Sequence, residues 1–204
     1  GFVGTEAIPI VARGRGEAEV ANVDINYFFG IKKNGAVYNL IADFEDQNTL
    51  DNTPTAVSLN HSGTSTGTVA LCTWTHVAVT YGGPADPNWR FYINGSPAGI
   101  TAVTGVNAAA LTPETASISP ASIGSALKSS GPTQAAGFFN GRIDEVRIWN
   151  SVRTQVEIDA NKNLEISIAP TELVARYALN ENTGTVISNS GSGTGGSALA
   201  GTIV

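Results

Sequence analysis

The sequence lacks methionine entirely and contains a single cysteine, Cys72, among its 204 residues. One cysteine excludes an internal disulfide and cannot form a cysteine-based zinc cluster. Its neighbours Leu71 and Trp74 predict an ordinary, half-buried thiol. The absence of methionine, the low cysteine content and the acidic balance are typical of exported bacterial proteins. We therefore expect the chain to be secreted or held at a cell surface.

Charge is also scarce, because only 14% of the residues are charged and the formal net charge is −6. The sequence has no run of basic residues, which argues against a nucleic-acid partner. No apolar stretch approaches the ~20 residues that span a bilayer, so we predict no membrane insertion. The chain begins at Gly1 without a signal-like segment, and we expect it to be a piece of a larger multidomain protein.

Small polar residues and glycine are abundant, while 42% of the sequence is apolar. This mixture is typical of many strands joined by many turns. Apolar and polar residues alternate in "INYFFGI" (25–31) and "AVYNLIADF" (36–44), which predicts two strands. Between them, Asn34-Gly35 is a favoured hairpin turn. On the second strand, Tyr38 and Leu40 share the face that we expect to be buried in the core.

Further strands are predicted at 73–81, at 89–95 and, after residue 170, at 173–179 and 197–204. Asn94-Gly95 predicts a second tight turn. Residues 101–136 read as long surface loops with one short strand at "ASIGSA". Thr154 and Glu157 have the spacing of a capping box and predict one helix over 154–163. We predict a single all-β domain over 1–204, a two-sheet antiparallel jelly-roll β-sandwich with one short helix.

Four stretches resemble the laminin-G-like, or concanavalin A-like lectin/glucanase, jelly-roll domains. They are "WTHVAVTY", "WRFYINGSPAG", "ASIGS…FFNGRIDEVRIWNSVRTQVEI" and "LVARYALNENTGT". Domains of this family usually open with a strand of the kind Phe-Thr-x-Glu-x-Trp, whereas only "GFVGTEA" precedes "PIVARG" here. Either an edge strand has been lost or residues 171–204 complete the sandwich. We expect the second, because a bare sheet edge invites aggregation.

The resemblance implies recognition of a glycan or a cell-surface protein, and glucanases of this fold raise the alternative of catalysis. Retaining glucanases place carboxylates at alternate positions of one strand, about 5 Å apart. We predict a strand over 141–148, in which Arg142 and Val146 occupy the positions two before and two after Asp144. Neither can act as a nucleophile or an acid. We therefore predict a non-catalytic module, with a polysaccharide hydrolase or lyase, or a purely structural accessory domain, as the alternatives.

Acidic residues also raise the possibility of calcium. We expect Asp144 to lie on the inward or rim side of its strand, where a carboxylate needs a backbone N–H, an arginine or a cation. Glu145 and Arg147 would be solvated neighbours. The loop "DFEDQNTLDN" (43–52) is rich in the hard oxygen ligands that calcium prefers, and "NENTGT" (180–185) is a third possible site. The predicted calcium ligands are Asp43, Glu45, Asp46, Asp144 and Glu181.

A candidate glycan platform flanks the loop "GGPADPN". Tyr81 and Trp89 would offer ring faces to a sugar, and Asp86 and Asn88 would bind its hydroxyls. The alternative is that Trp89 belongs to the core. His76 is expected to be packed and hydrogen-bonded rather than functional. No serine has a nucleophile-elbow setting, so a serine hydrolase is not indicated.

Overall fold

The computed structural model describes residues 7–14, 25–46, 61–104, 111–115, 118–128, 131–191 and 201–202. These residues form antiparallel strands and one short helix, which confirms the all-β prediction. The chain divides into two compact units, Gly1–Asn140 and Gly141–Val204. Compact units of this kind occur within single domains as well as between domains. The single domain over 1–204 therefore stays a prediction.

The first unit is built almost entirely from strands. Its described strands are β1 (Ala7–Arg13), β2 (Tyr27–Asn34), β3 (Val37–Asp43), β4 (Ser62–Thr68), β5 (Val77–Thr80), β6 (Arg90–Ile93), β7 (Ser96–Pro97), β8 (Ala102–Thr104), β9 (Ala121–Ile123), β10 (Ala126–Lys128) and β11 (Gly131–Ala136). Six of them form one sheet in the order β8-β4-β3-β2-β1-β9, and β5, β6 and β7 form another. Strands β10 and β11 pair with each other.

Strand β3 has apolar residues on both faces, and each face contributes to a separate core. Leu40, Ala42 and Phe44 pack in one cluster with Trp89 and Phe91, which lie at the start of β6. This confirms the predicted core face. The opposite face carries Ile41, which packs with Phe28, Ala12 and Ala126. The six-stranded sheet is therefore covered by apolar side chains on both faces around its centre.

Both predicted hairpins are present, although one turn is displaced by a residue. Asn94 and Gly95 have φ of 50° and 79°, as a type I′ turn requires, and they connect β6 to β7. In the other hairpin Asn34 still pairs with Val37, so Gly35 and Ala36 are the turn residues. Only Gly35 has a positive φ, 61°. Glycine at the first turn position favours a type II′ turn, which explains the shift from the predicted Asn34-Gly35 turn.

The second unit contains β12 (Val146–Trp149), α1 (Gln155–Asn161), β13 (Leu173–Tyr177), β14 (Val186–Ile187) and β15 (Gly201–Thr202). Strands β12 and β13 pair with each other, and β14 pairs with β15. Thr154 caps the helix: its hydroxyl accepts from the Glu157 N–H while the Glu157 carboxylate accepts from the Thr154 N–H. The predicted capping box is confirmed. Among the described residues, no helix is long and apolar enough to cross a membrane.

Two predictions about secondary structure need correction. The predicted short strand at "ASIGSA" is present as β9 and the start of β10, but β8 and β11 also fall within 101–136, where loops were predicted. The sequences of β8 and β11 show no clear alternation of apolar and polar residues, so they gave no strand signal. In the predicted strand 141–148, the observed strand begins only at Val146. Glu145 has a φ of 51°, a left-handed conformation that interrupts the strand and ends the alternation expected for Asp144.

Candidate functional site

A small polar depression lies on the six-stranded sheet of the first unit. Its volume is about 230 Å³, and it is lined by Lys32, Asn34, Asn39, Thr64 and Thr101. Ligand pockets for drug-sized molecules are usually larger, about 300–1,000 Å³. The depression could therefore hold only a small part of a larger ligand. Its lining offers amide, hydroxyl and ammonium groups and no carboxylate.

The strand register brings these side chains together. Lys32 on β2 lies directly across from Asn39 on β3, and Thr64 on β4 lies across from Ile41, two residues further along β3. Directly paired residues share a face of the sheet, as do alternate residues of one strand. Thr101 is held beside this set because its N–H and its hydroxyl both donate to the Thr64 carbonyl, at 2.8 and 2.9 Å.

Asn39 is the most constrained residue of the depression, with only 5% of its surface exposed. Its Nδ2 donates to the carbonyls of Ser65 and Gly67, at 3.0 and 3.3 Å. These carbonyls belong to an irregular part of β4, where the pairing with β3 shifts register between Asn39 and Ile41. Because Nδ2 must face these carbonyls, the orientation of the amide is fixed. Asn39 thus stabilises the irregularity in β4.

The other end of the same amide is not satisfied. Asn39 Oδ1 is buried and has no hydrogen-bond partner in the part of the chain that the structure describes. Leaving a buried acceptor unpaired costs about 1–3 kcal/mol. A hydroxyl or ammonium donor arriving in the depression could satisfy it. Since Oδ1 is covered, such a donor reaches it only when a neighbouring side chain moves.

The predicted aromatic platform lies largely in the core. Trp89 is 7% exposed, and its ring packs against those of Phe44, His61 and Tyr81 at centroid distances of 5.7, 5.6 and 4.9 Å. Tyr81 donates its hydroxyl to the Leu111 carbonyl at 2.9 Å. Burial, followed by the negative charges of Asp46 and Asp86, raises the pKa of Tyr81. The structure thus places both rings inside an aromatic cluster.

Asp86 and Asn88, the polar half of the same predicted site, lie close together near the surface. The Asp86 carboxylate accepts two hydrogen bonds from Arg90, at 2.7 and 3.1 Å, and a third from Asn88 at 3.1 Å. The hydrogen bonds from Arg90 and then from Asn88 lower the pKa of Asp86. A sugar would have to compete with these contacts. Binding at the 81–89 loop stays a prediction.

The first set of predicted calcium ligands is buried beside other segments of the first unit. Asp43, Glu45 and Asp46 are all inaccessible to solvent. Glu45 Oε2 accepts from the Ile25 N–H, and Asp46 Oδ1 accepts from the Thr112 N–H at 2.8 Å. These carboxylates therefore fix the backbone of neighbouring segments. The remainder of the predicted acidic loop, residues 47–52, lies outside the described residues.

The two other predicted ligands lie in the second unit and also bond to backbone. Asp144 is exposed, not inward-facing, and its carboxylate accepts from the Glu145 N–H at 3.0 Å. Glu181 accepts from the Ser188 N–H at 2.7 Å, and this bond lowers its pKa. Across the described residues, no group of three or more His, Cys, Asp and Glu side chains is arranged to hold a metal. Calcium binding stays a prediction.

Glu145 is not a solvated neighbour but the centre of an ion-pair network. It accepts hydrogen bonds from Arg176 on β13 at 2.5 and 3.1 Å and from Arg147 on β12 at 2.9 and 3.2 Å. Burial alone would raise the pKa of Glu145, but the bonds and charges of Arg176 and Arg147 outweigh it and lower that pKa. A carboxyl held ionised in this way is a poor general acid. Arg176 could not be identified from the sequence, because its partner Glu145 is 31 residues away.

Two further residues lie outside the predicted sites. Cys72 is exposed rather than half-buried, since neither Leu71 nor Trp74 covers it and Trp74 is itself 65% exposed. His61 is fully buried in the aromatic cluster. Burial lowers the pKa of His61, although its Nε2 lies 3.1 Å from the Pro87 carbonyl.

Comparison with known proteins gives a family match and a structural neighbour. Residues 10–159 match the family model described as the concanavalin A-like lectin/glucanases superfamily. No curated protein sequence matches the chain. A solved structure of a candidate carbohydrate binding protein from Bacteroides ovatus is 19% identical, with a TM-score of 0.46. The match covers 90% of this chain and 56% of that one, so this chain spans about half the length of that protein.

Proposed function

Because this chain belongs to the concanavalin A-like lectin/glucanases superfamily, we propose that it is a non-catalytic carbohydrate-binding module of an exported protein. In this proposal, sugar hydroxyls bind in the polar depression on the six-stranded sheet. The lining suits them, since the Asn34 amide and the Thr64 hydroxyl can both donate and accept hydrogen bonds, and the Thr101 hydroxyl, which donates to the Thr64 carbonyl, can still accept one. A protein partner at the cell surface is the second possible ligand.

The observation that carries the proposal is the buried amide of Asn39. Its Nδ2 is engaged by the carbonyls of β4, whereas its Oδ1 lacks a partner among the described residues. Buried polar atoms in folded proteins are nearly always satisfied, and an exception often marks a functional position. A sugar hydroxyl is a donor of the size and polarity that this acceptor needs.

The chemistry of the depression supports binding without catalysis. A retaining glycosidase needs two carboxyl groups about 5 Å apart, and an inverting one needs them about 6.5–9.5 Å apart. None of the five lining residues is acidic. A polysaccharide lyase also needs a general base, and among the five lining residues only Lys32 has a side chain of that class. The competing proposal of a hydrolase would require a different surface of the chain, and that of a lyase would depend on Lys32 alone.

A glycan array followed by calorimetry tests the proposal. We expect binding without the release of reducing ends or unsaturated sugars. Asn34→Ala and Thr101→Val each remove a polar group near the surface, and each should weaken binding about fivefold, the value of one neutral hydrogen bond. The matched control is Asn88→Ala, which changes the 81–89 loop instead. If only Asn88→Ala weakens binding, the ligand binds at that loop. Release of reducing ends or unsaturated sugars would show that the chain is an enzyme and would contradict the proposal.

A further inference from the structure

We propose that the depression selects glycans that carry a carboxylate or sulfate group, and that Lys32 is the residue that recognises this group. This inference rests on the proposed function, because it concerns the ligand of the same site. Lys32 is the one charged side chain among the five lining residues. A site for neutral sugars alone would need only the amides and hydroxyls that surround it.

The position of Lys32 keeps its charge near the ligand. It lies between two antiparallel partners on the same face, Ala7 on β1 and Asn39 on β3. Alanine is small and leaves room beside the lysine side chain, while Asn39 presents an amide. Lys32 is only partly exposed, so part of its side chain lies against neighbouring residues, and this limits the positions that it can take. A cation positioned beside amide and hydroxyl groups can bind an anion while these groups bind the neighbouring hydroxyls.

The lining complements an acidic sugar as a whole. The ammonium group of Lys32 would bind the anionic substituent, and the hydroxyls of Thr64 and Thr101 would bind the neighbouring hydroxyls of the ring. Asn39, which lies directly across from Lys32, adds the acceptor Oδ1, which lacks a donor among the described residues. The anion and the sugar hydroxyls would therefore be bound by different groups of one depression. No lining carboxylate opposes the anion, although the chain has a net charge of −6.

The next residue of β2 provides a matched control. Lys33 carries the same charge but points to the opposite face of the sheet, where it pairs with Tyr38. Lys33→Gln and Lys32→Gln change the net charge by the same amount. Any general effect of charge on a polyanion would therefore appear in both variants, whereas recognition in the depression would appear only in Lys32→Gln.

The experiment compares the binding of galacturonate oligosaccharides, their neutral methyl esters and a sulfated chondroitin oligosaccharide to the unmodified chain and to both variants. We expect the acidic sugars to bind more tightly than the methyl esters. We also expect Lys32→Gln to lower their affinity about five- to tenfold, with weaker binding at high salt, and Lys33→Gln to leave it unchanged. Loss of chondroitin binding when the oligosaccharide is desulfated would assign the sulfate, whereas unchanged binding would assign the carboxylate, which both acidic oligosaccharides carry.

Two other outcomes separate the inference from the proposed function. Equal binding of the acid and its methyl ester, or equal effects of the two lysine variants, would overturn the inference and leave carbohydrate binding intact. Failure of the unmodified chain to bind any glycan on the array would overturn both. Unchanged melting temperatures of Lys32→Gln and Lys33→Gln would show that a loss of binding is not a loss of folding.

Discussion

Replacing Glu145 by glutamine should destabilise the second unit strongly. Arg176 is 6% exposed along its side chain, and its guanidinium forms two hydrogen bonds to the Glu145 carboxylate. Removing one partner of a buried pair costs about 3–5 kcal/mol, because the other charge is left buried. The Glu145 side chain is 31% exposed, so solvent reduces this value. We expect Glu145→Gln to lower the free energy of unfolding by about 2 kcal/mol at neutral pH.

Amide hydrogen exchange in β12 and β13 measures this loss where it arises. A decrease of about 2 kcal/mol corresponds to roughly thirtyfold faster exchange of the protected amides. The control is Glu165→Gln, which removes the other carboxylate that contacts Arg176, at 3.1 Å. The Glu165 side chain is 68% exposed, so its replacement should cost less than about 1 kcal/mol.

The pH dependence gives an independent check on the same pair. The pKa of Glu145 is lowered from its ordinary value of 4.5. The stabilisation by its carboxylate is therefore present above that value and is lost as the pH falls through the folded-state pKa. The difference between the unmodified chain and Glu145→Gln should thus shrink in acid. Two results would refute this reasoning. One is an equal loss of unfolding free energy in Glu145→Gln and Glu165→Gln. The other is a difference in stability between Glu145→Gln and the unmodified chain that persists in strong acid.

Three further predictions concern the first unit. Because burial lowers the pKa of His61 from 6.5, protonation should destabilise the fold as the pH falls below that value, and His61→Phe should flatten this part of the stability profile measured by urea unfolding. Gly99→Ala should lower the free energy of unfolding by about 2–3 kcal/mol, because φ is 64° and the new Cβ would lie 2.3 Å from Thr66 Oγ1. The control is Gly83→Ala, which has a φ of 74° but open space around it. It should lower the free energy of unfolding by only about 1 kcal/mol in the same assay. If calcium binds the folded state, millimolar calcium should raise the melting temperature and EDTA should reverse the rise; identical melting curves would exclude it.

The sequence was sufficient for the parts of the fold in which local signals are strong. The alternation around Leu40, the Asn94-Gly95 turn and the capping box at Thr154 each depend on residues close together in the chain, and all three were predicted correctly. Apart from the short strand at "ASIGSA", the strands within 101–136 could not be predicted in this way. Residues Gly131–Ala136, for example, read "GPTQAA" and show neither alternation nor β-branched enrichment.

The candidate site could not be predicted, for a different physical reason. Lys32, Asn39, Thr64 and Thr101 are separated in the sequence and meet only through the pairing of β2, β3 and β4. The predicted inward or rim position of Asp144 was wrong for another reason, because it depends on the left-handed backbone conformation of Glu145. Glutamate rarely adopts that conformation, so nothing in the residue type indicated it. Register and an unusual backbone angle are both properties of the folded chain.

Strand register also has a consequence for how this surface can change. Lys32 and Thr64 lie within strands, each beside a buried residue, so either can be replaced without altering the length of any loop. New ligand preferences are therefore accessible through single substitutions on an unchanged scaffold. A slip of β3 by one position would turn Asn39 towards the opposite core and bring an apolar residue to the surface. The same three strands, β2, β3 and β4, therefore allow the lining of the depression to change and require that their pairing register does not.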